Sequence, residues 1–289
     1  MTEIYSKLFD FLEIGDYYPT VLMGVLNLSP ESFYKGSVYE DLEQLELSAM
    51  KMIKNGAKIL DLGARSTAPW SEKITIEEEI NRLEPAMEHL CKKIPENIVI
   101  SIDTQYKIVA EKSLEIAQKW NKKIMFNDVS CLKTDPYLKD FILENDVPVI
   151  LMASKKVPGD LLHMDEIINE FKNVIGNLEE EGYDGKKIIL DPGIGHWIKE
   201  KTFEWDLRIL NDLKRLKVLQ KLILVAISRK SFIAETLGKY KDSPENRYSG
   251  TLSATAIAVY NGAHIIRTHD VNEQTNEIIK IAEEIRGVG

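Results

Sequence analysis

Short apolar runs alternate with amphipathic stretches along most of the chain, which predicts a fold of repeated strand and helix units. Each run is continuous and rich in Val, Ile and Leu, as is typical of parallel strands buried on both faces. The runs cover residues 21–26, 58–62, 98–102, 123–126, 147–152, 187–190, 222–227 and 263–266. We therefore expect eight buried parallel strands.

The stretches between these runs have the three- and four-residue periodicity of helices. Ile80, Leu83, Met87 and Leu90 illustrate it. Helices are predicted over residues 40–55, 76–93, 105–118, 136–144, 164–181, 203–219, 231–260 and 272–285. Eight right-handed crossovers would close the sheet, so the predicted fold is α/β, a single-domain (β/α)8 TIM barrel.

The barrel is expected to occupy residues 21–289, with residues 1–20 as an N-terminal extension that covers its floor. A doubly wound open sheet is the alternative, but no GxGxxG or Walker A motif follows any predicted strand. The acidic run at residues 77–79 is interpreted as a solvated first helical turn, where negative charge favours the positive end of the helix dipole.

Composition narrows the class of partner. The 289 residues carry a net charge of -9, and this acidic balance argues against nucleic acid as a partner. Cys91 and Cys131 lack the spacing of a zinc site and are interpreted as reduced thiols. No apolar run approaches the roughly 20 residues of a membrane span, and the N-terminus lacks the features of a secretory signal. A soluble cytoplasmic protein without a membrane partner is expected.

Barrel enzymes place their chemistry at the carboxyl ends of the strands, and three polar residues stand there in this chain. Asp103, Asn127 and Asp191 end the third, fourth and sixth runs. Two carboxylates and an amide would suit a ligand with several adjacent N–H donors, such as a pterin ring. Helix capping explains any one of them, but three together favour a binding site.

Two further strand ends carry positive charge. Residues 228–231 place basic side chains and two hydroxyls at a predicted helix N-terminus, which favours anions. Arg267 and His269 are two residues apart and could together hold a phosphate, although a buried structural histidine is equally open. No nucleophile elbow or HExxH motif is present, so covalent catalysis is not indicated.

Seven blocks of sequence, taken in order, resemble dihydropteroate synthase, a pterin-binding barrel enzyme of folate biosynthesis. The blocks are residues 23–33, 61–69, 101–104, 127–128, 189–195, 228–232 and 267–270. The resemblance extends over about residues 21–285. It implies an Mg²⁺-assisted transfer that joins a dihydropterin pyrophosphate to an arylamine, usually p-aminobenzoate, and releases pyrophosphate.

The resemblance also implies roles for individual residues, which fall into three groups. Pterin binding is expected of Asp103, Asn127, Asp191 and Lys230; pyrophosphate binding of Asn27, Arg267 and His269; and the arylamine side of Thr67, Ser231, Arg65 and Lys35. Lys230, Arg267 and His269 are the expected catalytic residues, and Asn27 is the expected metal ligand. A homodimer through the outer faces of the last helices is a further expectation.

Two loops depart from the family pattern. In the first loop, Lys35 stands where the family has Asp. In the second loop, Arg65 replaces a Glu and Ala68 replaces an Arg. Outside these loops, His196 replaces a common Phe. Because the two loops become more positive, we hypothesise a bulkier or more anionic acceptor, such as a phosphorylated aminobenzene. The alternatives are a methyl-tetrahydropterin-dependent methyltransferase and a non-catalytic pterin-binding protein.

Overall fold

Eight parallel strands close into a barrel in the computed structural model, which describes residues 3–29, 41–66, 73–195, 198–238 and 243–287. The strands in chain order are β1 (Tyr5–Phe9), β2 (Leu12–Gly15), β3 (Val21–Asn27), β4 (Ala57–Gly63), β5 (Val99–Asp103), β6 (Lys123–Asp128), β7 (Val149–Met152), β8 (Ile188–Asp191), β9 (Leu222–Ala226) and β10 (Ile265–Thr268). The barrel runs from β3 to β10, and β10 pairs with β3 to close it. The predicted TIM barrel is therefore confirmed.

Helices follow the barrel strands along the chain. They are α1 (Leu42–Lys54), α2 (Ile76–Lys93), α3 (Lys107–Lys119), α4 (Pro136–Asn145), α5 (Met164–Glu180), α6 (Phe203–Asn211), α7 (Ser231–Thr236), α8 (Tyr248–Tyr260) and α9 (Glu273–Arg286). Their buried faces and the strands form one continuous apolar layer around the barrel. The strands carry that layer on their outer face, as the continuous Val, Ile and Leu runs predicted.

Two predicted helices were wrong in their extent. The helix predicted over 203–219 is α-helical in the structure only to Asn211. A 3-10 segment, Leu213–Leu219, follows it. The predicted segment 231–260 is divided into α7 and α8. Gly238 has a φ of +67°, a left-handed conformation that favours glycine, and a 3-10 turn beginning at Pro244 precedes α8.

An antiparallel hairpin of β1 and β2 covers the N-terminal end of the barrel. Its buried residues Ile4, Leu8, Leu12 and Ile14 belong to the apolar cluster that fills the barrel interior. The Ser6 hydroxyl also donates a hydrogen bond to the Lys186 carbonyl oxygen at 2.7 Å, just before β8. The sequence pattern had not predicted strands in this segment.

A partly buried polar network joins the end of this hairpin to the barrel. Asp16 accepts hydrogen bonds from Lys217 Nζ at 2.6 Å and from the Ile4 backbone N–H at 3.1 Å. His264 Nδ1 accepts from the Ile223 backbone N–H at 2.9 Å, so its other ring nitrogen carries the hydrogen toward Asp16, 3.4 Å away. Burial alone raises the pKa of Asp16, but hydrogen bonds from His264 and Lys217 outweigh it, and the net pKa lies well below its usual value.

No described helix combines the length and apolar character that crossing a bilayer requires.

We predict that Asp16→Asn lowers the free energy of unfolding at pH 7 by about 1.5–3 kcal/mol, the range for hydrogen bonds to charged groups. The folded-state pKa lies below the unfolded value of about 3.9, so this contribution is present at neutral pH and is lost as the pH falls through the folded-state value. Urea unfolding between pH 7 and 2 would measure it. The control is Asp10→Asn, because the Asp10 side chain is 98% exposed; equal losses in the two variants would contradict the prediction.

Candidate active site

A buried carboxylate, Asp61, lies at the centre of the polar cluster in the C-terminal half of the barrel. Arg267 Nε donates to Asp61 Oδ2 at 2.6 Å, and the Ser101 hydroxyl donates to Asp61 Oδ1 at 2.6 Å. Asn127 Nδ2 lies 3.4 Å from Asp61 Oδ2. Residues from β4, β5, β6 and β10 thus converge on one fully buried acid.

Asp61 was not among the predicted site residues. The sequence did contain a signal for it, because an aspartate interrupts the apolar run at residues 58–62 in the middle of a strand buried on both faces. A charged residue in such a position needs a partner of opposite charge. Sequence spacing could not identify that partner, since Arg267 lies 206 residues further along the chain.

Asp103 ends β5 beside this cluster and shares the same arginine. Arg267 Nη2 donates to Asp103 Oδ2 at 3.0 Å. The other oxygen, Oδ1, is buried and has no hydrogen-bond partner among the described residues. Burial, together with the nearby charge of Asp61, raises the pKa of Asp103 to about 7 although Arg267 opposes the shift.

Asp191 and Lys230 form the other side of the barrel mouth. Asp191 Oδ1 accepts from the Gly193 backbone N–H at 2.8 Å, and Gly193 has a φ of +72° in the tight turn after β8. Lys230 Nζ donates to the Ile194 carbonyl oxygen of the same turn. Burial lowers the pKa of Lys230 to about 8, against the opposing effect of Asp191.

His269 lies beside Ser228, with its Nδ1 3.0 Å from the Ser228 hydroxyl. Burial and the positive charges of Arg267, Arg229 and Lys230 lower the pKa of His269 to about 3. Without a bound anion, the imidazole is therefore uncharged at neutral pH.

A bidentate ion pair connects the loops that carry Lys230 and His269. Arg229 Nε and Nη2 donate to the two oxygens of Asp270, at 2.8 and 2.6 Å. Each partner is the chain neighbour of an expected catalytic residue. Two parallel hydrogen bonds fix orientation as well as distance, so the ends of β9 and β10 are held in register.

Arg65, which the resemblance assigns to the arylamine side, contacts the start of α2. Its Nε donates to Glu79 Oε2 at 2.6 Å, and Nη1 donates to the Ile74 carbonyl oxygen at 2.6 Å. Glu79 itself is 1% exposed, so the interpretation of residues 77–79 as a solvated turn was wrong at this position. The same helical stripe that buries Leu83 and Leu90 carries Glu79 inward.

The remaining predicted residues are only partly described. Asn27 ends β3, and Ser231 is the first residue of α7, where the helix N-terminus favours anions. Lys35, Thr67, Ala68 and His196 lie outside the described residues. The structure thus brings together Asp103, Asn127, Asp191, Lys230, Arg267 and His269 around one end of the barrel.

Comparison with known proteins identifies the family. Residues 23–269 match the model of a pterin binding enzyme. A dihydropteroate synthase of Bacillus subtilis is 34% identical over 88% of this chain and 85% of its own length, and one of Clostridium beijerinckii is 35% identical over 89% and 91%. The chain belongs to the dihydropteroate synthase family.

Solved structures agree with this assignment over the whole chain. A dihydropteroate synthase of Coxiella burnetii in complex with pteroic acid has a TM-score of 0.84 and 32% identity, covering 99% of this chain and 100% of that one. One of Xanthomonas albilineans with 4-aminobenzoic acid has a TM-score of 0.82 and 28% identity, covering 100% of both chains. The dihydropteroate synthase fold is therefore shared from end to end.

The lowered pKa of Lys230 predicts how ligand binding depends on pH. If its ammonium donates to a carbonyl of a dihydropterin, affinity falls as the amine loses its proton above about pH 8. The dissociation constant should rise about tenfold between pH 7 and 9. In Lys230→Arg the guanidinium stays charged, so the slope should disappear. Fluorescence titration with dihydropterin would measure both, and a flat wild-type profile would contradict the prediction.

Proposed function

We propose that this protein catalyses the dihydropteroate synthase reaction, joining 6-hydroxymethyl-7,8-dihydropterin pyrophosphate to p-aminobenzoate with release of pyrophosphate. The observation that carries the proposal is the buried Oδ1 of Asp103 at the barrel mouth, which accepts no hydrogen bond from any described residue. A buried acceptor without a donor is costly, and an N–H group of a ligand would satisfy it.

The pterin ring offers the donors that this mouth lacks. Asp103 Oδ1 would accept from one ring N–H, while Asp191 and the Asn127 amide would pair with further groups of the ring edge. Lys230 would donate to the ring carbonyl. Because Asn127 also lies beside Asp61 and Lys230 is bonded to the Ile194 carbonyl oxygen, these side chains are already oriented before the ring arrives.

The reaction would break the bond between the pterin methylene carbon and the bridging oxygen of the pyrophosphate. The bond electrons leave with pyrophosphate, the amine nitrogen forms the new bond to carbon, and the nitrogen then loses a proton. Arg267 and the neutral His269 would stabilise the charge that develops on the leaving group. Most of the acceleration would come from holding the two substrates in line.

The oxygen donors present fit an Mg²⁺ ion held mainly by pyrophosphate. A Cβ added at Gly63 would lie 3.7 Å from Asn27 Oδ1 and 3.7 Å from Asp103 Oδ2, so glycine keeps open the space beside both oxygens. Asn27 would supply a protein ligand, and Mg²⁺ often takes only one or two from protein when phosphates supply others. When bound, the ion would neutralise charge on the departing pyrophosphate.

The identity of the acceptor depends on the two divergent loops. The hypothesis of an anionic or phosphorylated aminobenzene rested on added positive charge, but the charge of Arg65 is compensated by Glu79. A structurally similar dihydropteroate synthase has been solved with 4-aminobenzoic acid, which supports p-aminobenzoate as the acceptor we propose. A parallel titration with a phosphorylated aminobenzene distinguishes the two, because tighter binding of the phosphorylated amine would favour the original hypothesis.

The expected homodimer and cytoplasmic location remain predictions. Apolar side chains of α8 and α9 that are exposed in the single chain support the dimer, namely Ile257, Tyr260, Ile281 and Ile285. Burying them against a second copy would remove apolar surface from water.

We predict Mg²⁺-dependent pyrophosphate release when the pterin pyrophosphate and p-aminobenzoate are both present. Asp103→Asn should raise the KM for the pterin pyrophosphate roughly 10- to 100-fold, because an amide replaces the charged acceptor of a ring N–H. A coupled phosphate assay measures this. Pterin binding without pyrophosphate release from the wild type would instead support a non-catalytic protein, and methyl transfer from a methylated pterin would support a methyltransferase.

The metal assignment gives a separate prediction for Asn27. Asn27→Ala should raise the Mg²⁺ concentration for half-maximal activity about tenfold, because the ion loses a protein ligand. Pterin affinity measured without Mg²⁺ should stay within about twofold of the wild type. An unchanged metal requirement in this variant would contradict the role of Asn27.

A further inference from the structure

Arg65 is held by several contacts on the α2 side of the second loop. In addition to Glu79 and the Ile74 carbonyl oxygen, its Nη2 donates to the Thr75 carbonyl oxygen at 3.1 Å. The guanidinium also lies 5.0 Å from the centre of the Tyr106 ring. Only 12% of its side chain is exposed. Three N–H groups in a rigid fork are thus used to hold the start of α2.

Glu79 connects this arginine to the neighbouring strand end. Its Oε2 accepts from Arg65 Nε, and its Oε1 accepts from the Thr104 hydroxyl at 2.7 Å. Both oxygens of a carboxylate that is 1% exposed are therefore occupied. A buried carboxylate requires such compensation, because the low-dielectric interior cannot solvate its charge.

Thr104 is the point at which the network reaches the proposed pterin site. It directly follows Asp103, and its backbone N–H donates to the Asn127 carbonyl oxygen at 3.1 Å. Its hydroxyl also lies 3.3 Å from the Tyr106 backbone N–H. A shift of Thr104 would therefore move the ends of β5 and β6 relative to one another, together with the side chains of Asp103 and Asn127.

We propose that Arg65 is a positioning residue for pterin binding, which acts through Glu79 and Thr104 to hold Asp103 and Asn127 in place. This inference rests on the proposed function and assigns Arg65 to the pterin half of the site instead of the arylamine side. The replacement of the family's Glu by Arg at this position then supplies the positive charge that the buried Glu79 needs. Removing Arg65 leaves Glu79 with an uncompensated buried negative charge, and the guanidinium then no longer fixes the carboxylate that accepts from the Thr104 hydroxyl.

Steady-state kinetics with both substrates varied tests this role. Arg65→Met should raise the KM for the pterin pyrophosphate about tenfold, while the KM for p-aminobenzoate and kcat change less than about threefold. Arg65→Lys should raise this KM less than Arg65→Met does. Lysine keeps the positive charge but cannot reproduce the guanidinium's hydrogen bonds to the Ile74 and Thr75 carbonyl oxygens. The double variant Arg65→Met with Glu79→Gln should be less impaired than Arg65→Met alone, because no buried charge is left without a partner.

Arg82→Met is the matched control. Arg82 lies on α2 and donates to the Ala64 carbonyl oxygen of the same loop at 3.3 Å, so it has a similar location. It should retain the KM for the pterin pyrophosphate within about twofold. Circular dichroism and thermal unfolding of every variant separate local effects from loss of the fold, and Arg65→Lys carries the test if Arg65→Met does not fold.

Two results would overturn the inference. One is an unchanged KM for the pterin pyrophosphate in Arg65→Met and Arg65→Lys; the other is an increase confined to the KM for the arylamine, which would assign Arg65 to the acceptor. Failure of the proposed function looks different, because the wild type would then release no pyrophosphate, whether or not it binds the pterin. That result would contradict both proposals, whereas an active wild type with unaffected variants contradicts only this one.

Discussion

The compensation of the buried Asp61 carboxylate is the constraint on which the barrel mouth depends. Asp61 is fully buried, and a charge in such surroundings is tolerated only with a partner and with its remaining oxygen positions hydrogen-bonded. Arg267 supplies the charge, and Ser101 and Asn127 supply further contacts. The ends of four strands are thereby held together, and Arg267 is placed where it also reaches Asp103.

The electrostatic character of the mouth follows from this shared arginine. Burial and the charge of Asp61 raise the pKa of Asp103, and a guanidinium that is shared between two carboxylates does not offset them. The second oxygen of Asp103 has no partner among the described residues. On the other side, the cations around His269 and its burial hold the imidazole neutral. The site therefore combines a carboxyl acceptor for ring N–H groups with guanidinium and imidazole groups that could face a phosphate, as the proposed condensation requires.

The contacts that close the barrel floor and the groups of the candidate site lie at opposite ends of the barrel. At the N-terminal end the β1–β2 hairpin and the Asp16–His264 contact close the floor. At the C-terminal end polar groups at the ends of several strands form the candidate site. This division is characteristic of TIM barrels, because loops at the C-terminal face can vary while the strands and the floor keep the core intact.

The sequence by itself determined the eight barrel strands, most of the helices between them, the closed barrel and the polar residues at the strand ends, because burial periodicity is a local property of the chain. It also indicated the family through seven ordered blocks. It missed the β1–β2 hairpin and the division between α7 and α8. Only the tertiary structure decided the partners. Asp61 contacts Arg267 from a strand far along the chain, and Glu79 of α2 contacts both Arg65 after β4 and Thr104 after β5. Charge compensation in a buried site depends on three-dimensional proximity that local spacing does not encode.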